Sequence, residues 1–135
     1  MEWLPQLMSA LIAIESGGDN SKVGDAGEVG ILQIREICVR DVNRIYGTKY
    51  AWPEAALDEA TAMEICRKYL TYYGARVKNC TPEQAARIWN GGPRGWRLKA
   101  TRGYWKKVYL CLSEGRARRA RLGEAIGRSL AATAS

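Results

Sequence analysis

Along most of this chain, apolar residues recur at the three- and four-residue steps that put side chains on one face of a helix. Leu4, Leu7, Met8 and Leu11 form the first such stripe, which predicts a helix over about residues 3–15 closed by Gly17-Gly18. A second helix is predicted over about 35–46, with Ile37, Cys38, Val42 and Ile45 inward and Gly47 as its stop. A third spans about 58–73, with Met63, Cys66, Leu70 and Tyr73 on one face. Thr81-Pro82-Glu83-Gln84 joins a capping Thr, Pro at the first helical position and Gln where a capping box needs it. The helix it starts ends at Asn90-Gly91-Gly92-Pro93. Two more helices are predicted, over about 101–113 with Tyr104, Val108, Cys111 and Leu112 inward, and over about 116–130. Ser16 to Gln33 is rich in Gly, Asp, Asn and Ser and reads as a long structured loop with room for a short hairpin. The pattern implies an α+β, predominantly helical fold in which irregular or short β structure is confined to one region.

Glu15 ends the first stripe and lies on the face that should be buried. Burial disfavours a charged carboxyl group, and the negative end of the helix dipole adds to the effect, so both raise its pKa. A carboxyl so tuned suits a general acid. A surface glutamate ending a helix before a Gly-Gly stop fits the same pattern.

The composition narrows the chemistry. A chain of 135 residues with 47% hydrophobic and 26% charged residues fits one globular domain with a core of its own. There is no histidine. Its absence removes Ser-His-Asp and Cys-His catalysis and the usual His-containing zinc sites, and no metal or other cofactor is expected. Cys38, Cys66, Cys80 and Cys111 are widely spaced and read as buried free thiols in a reducing compartment, with one or two disulfides as the alternative. No apolar stretch approaches the roughly 20 residues that span a bilayer. The start Met1-Glu2-Trp3 shows no signal peptide.

The net charge of +7 is uneven: from Arg94 onward eleven Lys and Arg face only Glu114 and Glu124. Such a surface attracts anionic polymers, whether nucleic acid, acidic lipid or bacterial cell wall, although a solvated basic helix gives the same pattern. The organisation is therefore a domain over 1–113 and a basic, peripheral helical extension over 114–135.

Three segments look like parts of one site: Glu15-Ser16-Gly17-Gly18, Gly24 through Gln33, and Ala86 through Gly92. With Tyr104 in Gly103-Tyr104-Trp105, they resemble the catalytic domain of soluble lytic transglycosylases, within the lysozyme superfamily. The family's helix-ending Glu-Ser corresponds to Glu15-Ser16, its Gly-Leu-Met-Gln to Gly30-Ile31-Leu32-Gln33, and its Ala-x-Tyr-Asn-x-Gly to Ala86 through Gly91. Residues 7 to 110 are covered, with Leu32 in place of Met and Trp89 in place of Tyr. The second change keeps an aromatic wall but loses a phenolic hydroxyl.

The resemblance implies a lysozyme-like fold and a peptidoglycan substrate. Glu15 would protonate the glycosidic oxygen between N-acetylmuramic acid and N-acetylglucosamine. It would then deprotonate the muramoyl C6 hydroxyl, closing a 1,6-anhydro ring. Gln33 would bond the N-acetyl groups, Asn90 would fix the saccharide, Trp89 would wall the cleft, Tyr104 would orient Glu15, and Ser16 would support the loop. Asp25, ten residues beyond Glu15, keeps a hydrolytic alternative open, since goose-type lysozymes also carry an acidic residue after Gly. Asp25 or Glu28 across a gap of roughly 6.5–9.5 Å could activate water. A non-catalytic cell-wall-binding module is the third reading.

All twelve aromatic rings, seven Tyr and five Trp, carry a polar handle suited to sugars, and Trp89, Trp96 and Trp105 are expected to line the cleft. Trp3, Trp52, Tyr69 and Tyr72 are expected in or beside the core. No helix-turn-helix, zinc, RRM or OB signature supports a nucleic-acid partner. A monomer acting at the bacterial cell wall is expected, released from the cytoplasm as a phage-type or secretion accessory protein, or exported by a signal the chain lacks.

Overall fold

A computed structural model describes residues 1–134. Six α-helices are found among them: α1 (Leu4–Glu15), α2 (Glu36–Tyr46), α3 (Glu54–Leu57), α4 (Glu59–Gly74), α5 (Pro82–Gly91) and α6 (Arg102–Ala134). Two 3-10 turns, Gly95–Arg97 and Lys99–Thr101, join α5 to α6. No strand occurs among the described residues.

Local chemistry explains the boundaries. The α1 helix stops where Gly17 and Gly18 adopt left-handed φ values of 64° and 87°, which cost glycine little. The α4 helix begins at Asp58, whose carboxylate accepts from the Thr61 amide at 3.0 Å. On α5 the capping box is complete, with the Gln84 amide donating to Thr81 Oγ1 and the Thr81 amide donating to Gln84 Oε1. Gly115, Gly123 and Gly127 do not interrupt α6, so the two helices expected from about 101 onward are one.

The core is built where α5 meets α1, α4 and α6. Leu7 and Leu11 of α1, Ile65 and Leu70 of α4, Ile88 of α5 and Val108 of α6 are fully buried there. Two helix faces differ from expectation. On α2 the buried residues are Val39 and Val42, while Ile37 is 72% exposed. On α4 the inward set is Ala62, Ile65, Cys66, Tyr69 and Leu70, with Met63 turned out. All four cysteines are free thiols.

The expected short β structure between α1 and α2 is replaced by turns. Only two isolated antiparallel bridges form, Val23 with Val29 and Val29 with Ile34. The loop spends its backbone on tight local bonds, such as the Gly24 amide to the Glu28 carbonyl at 2.8 Å, leaving too little for a ladder. It is fixed by burying Val29, Ile31, Leu32 and Ile34 in the core. Gly30 has a φ of 83°, and a Cβ there would lie 2.2 Å from the Ala56 carbonyl oxygen, so only glycine lets the loop pack on α3.

Candidate active site

Glu15 is the last residue of α1 and is half-buried at the wall of a cleft of about 750 Å³. That volume lies within the range of small-ligand sites, roughly 300–1,000 Å³. The loop before α2, α2 itself, α4 and the end of α5 supply the rest of the lining.

The carboxyl group is held from two sides. Tyr104, in the first turn of α6, donates its hydroxyl to Glu15 Oε2 at 3.0 Å, and the Trp89 indole of α5 gives weaker support. Lys22 donates its ammonium to the Glu15 backbone carbonyl at 2.6 Å, which ties the loop to the end of α1. Burial raises the Glu15 pKa above its ordinary value, and the nearby Glu28 charge raises it further; the Tyr104 bond and the Lys22 charge offset part of this. Burial, followed by the Glu15 charge, pushes the Tyr104 phenol well up, so it remains a donor.

Glu28 lines the same cleft, whereas Asp25 is exposed on the loop and is not part of the lining. The Glu28 carboxylate folds over Gly24, where a Cβ would fall 1.8 Å from its Oε1. Its Oε2 is buried without a hydrogen-bond partner and lies 3.7 Å from the largely exposed Arg35 guanidinium. Three carboxyl groups line the site: Glu15, shielded and with its pKa raised; Glu28, beside Arg35; and Asp41, bound by Arg44 and Tyr73. Two carboxyls in different environments can divide acid and base roles.

The other expected site residues separate into two groups. Trp89, Asn90 and Gln33 line the cleft with Glu15. Gln33, at φ 51°, donates its side-chain amide to the carbonyls of Gly30 at 2.8 Å and Lys22 at 3.0 Å, so its N–H groups hold the loop. Ser16 lies outside the lining: its hydroxyl donates to the Ile31 carbonyl at 2.8 Å and accepts from the Gly18 amide at 3.0 Å. Trp96 and Trp105 also lie outside it; Arg97 sits over Trp96, and Trp105 pairs with Tyr109. Tyr69 and Tyr73 of α4 extend the aromatic wall instead, Tyr69 meeting Trp89 edge-on with centroids 5.6 Å apart. The Tyr73 hydroxyl donates to Asp41, which also binds Arg44. Tyr69 has only its place on the buried stripe of α4 to mark it in the sequence, and that signals core as readily as cleft.

Against known proteins, the chain is 38% identical over 69 residues to invertebrate-type lysozyme 2 of Caenorhabditis elegans, covering 47% of this chain and 48% of that protein. It is 37% identical over 81 residues to a lysozyme of Magallana gigas, covering 59% of this chain and 57% of that protein. The chain therefore spans about half the length of the curated relatives it matches. Among solved structures it matches a chain of the Aeromonas hydrophila PliI complex with Meretrix lusoria lysozyme. The TM-score is 0.67 at 29% identity, over 76% of this chain and 85% of that one. The fold is lysozyme-like. No family model matches. The resemblance to soluble lytic transglycosylases thus narrows to the shared lysozyme-like fold, since the relatives found are lysozymes.

Proposed function

We propose that this protein is a peptidoglycan muramidase that hydrolyses the β-1,4 bond between N-acetylmuramic acid and N-acetylglucosamine. One observation carries the reading: a shielded carboxyl group with raised proton affinity, Glu15, shares a saccharide-sized cleft with a second carboxylate, Glu28. The similarity to lysozymes supports it.

Glu15 delivers its proton to the glycosidic oxygen as the bond to the muramoyl C1 breaks. Glu28, 3.7 Å from Arg35, faces the positive charge that develops at C1 and takes a proton from the attacking water. The water oxygen becomes the new hydroxyl at C1, so the product carries a reducing end. Tyr104 positions Glu15, while Trp89 and Tyr69 form an apolar wall against a sugar ring. Asn90 and the Gln33 side-chain carbonyl, among the polar groups of the lining, suit acetamido and hydroxyl substituents.

A lytic transglycosylase is the second reading, favoured by the hold of Tyr104 and Trp89 on one carboxyl that could act as acid and then base without Glu28. Mass spectrometry of digested sacculi separates the two, since hydrolysis leaves reducing ends and transglycosylation leaves 1,6-anhydro ends. Glu15→Gln is expected to lower activity by roughly 10²–10⁴-fold. Glu28→Gln is expected to cost at least about 10²-fold. Anhydro products with an active Glu28→Gln variant would refute hydrolysis and support the second reading.

A further inference from the structure

The last nineteen described residues of α6, from Arg116 on, are exposed, and their sequence is not that of a neutral spacer. Leu122, Ile126 and Leu130 recur every four residues and are 60%, 52% and 65% exposed. They continue a face already used inside the domain. With 3.6 residues per turn, 18 residues make five full turns, so Leu122, Ile126 and Leu130 lie in line with Tyr104, Val108 and Leu112 respectively. Those three pack on the core; their continuation has no apolar surface of the domain beneath it. At about 100° per residue, Arg116 and Arg118 flank the stripe and Arg119 falls on it, while Arg121, Arg128 and Glu124 lie on the opposite side of the helix.

We propose that this segment docks on an anionic lipid surface, with Leu122, Ile126 and Leu130 immersed and Arg116, Arg118 and Arg119 at the headgroups. The charge complements such a surface, and the apolar stripe distinguishes it from a wall polymer or nucleic acid, which would engage the arginines and leave the stripe in water. A second copy of the chain fits less well, because pairing two such tails opposes five arginines to five others with one glutamate on each side. The segment rests on the surface and does not cross it, since no helix among the described residues is long and apolar enough to span a membrane.

The test uses the full chain with vesicles of phosphatidylglycerol or of phosphatidylcholine, read by co-sedimentation and circular dichroism. The expected result is binding to phosphatidylglycerol and much weaker binding to phosphatidylcholine. Replacing Arg116, Arg118 and Arg119 by Gln should weaken binding about fivefold per residue. Replacing Leu122, Ile126 and Leu130 by Ser should weaken it roughly tenfold per residue while leaving the thermal transition of the domain in place. Lipid binding that survives loss of the stripe overturns the proposal in favour of a purely electrostatic contact. So does binding to purified teichoic acid or nucleic acid but not to vesicles, or sedimentation as a dimer that depends on the stripe.

Discussion

At the scale of single residues, the decisive property is the proton on Glu15. Its affinity is higher in the folded protein than in the unfolded chain, because burial penalises the carboxylate. Folding stability from this group is therefore fully present below the ordinary value of 4.5 and is lost as pH rises through the folded value. Glutamine in its place carries no charge to bury. The Glu15→Gln variant should match the parent in melting temperature in acid and melt higher at neutral pH, as paired thermal melts across pH would record. A constant difference across pH would mean that Glu15 titrates as an exposed carboxyl does. The place of Glu15 was legible because the apolar stripe leading to it is local. Which acid accompanies it was not. Asp25 and Glu28 sit in the same Gly-rich loop, and the choice depends on the bare Cα of Gly24, which leaves room for the Glu28 side chain to fold back toward the cleft.

At the scale of elements, helices with chemical end signals matched the sequence well. The end of α1 at Gly17-Gly18 and the capping box of α5 are written in adjacent residues. Faces were harder to read. Ile37 on α2 looks like a core residue by spacing, yet it stands at the rim of the cleft, where an apolar side chain borders open space. The loop between α1 and α2 was legible as a loop, but its turns depend on contacts with α3 that no local pattern reveals. Gly30 packs against the Ala56 carbonyl, and Asn20 donates its side-chain amide to the Leu57 carbonyl. Gly30→Ala should destabilise the fold by roughly 2–4 kcal/mol, through the unfavourable φ and the clash with the Ala56 carbonyl. Urea denaturation measures this, and a loss below about 0.5 kcal/mol would mean that the loop and α3 separate easily.

For the whole molecule, the lysozyme-like architecture was readable from the order of its motifs, whereas the uninterrupted course of α6 was not. Gly115 and the run of arginines after it resemble a boundary, and only the continuity of the helix joins the two parts. Because residues beyond Arg116 are exposed, ending the chain after Glu114 should move the melting temperature by less than about 2 °C in calorimetry. A larger drop would mean that the tail supports the domain.

Continuity also turns residue count into angle. Tyr104, which holds the Glu15 carboxyl, and Leu122, which begins the outer stripe, stand about 27 Å apart on one rod. Each residue added or removed between them rotates the stripe by about 100° relative to the cleft. If the tail meets a surface, α6 behaves as a crankshaft: its length sets how far the cleft stands from that surface, and its phase sets which way the cleft opens.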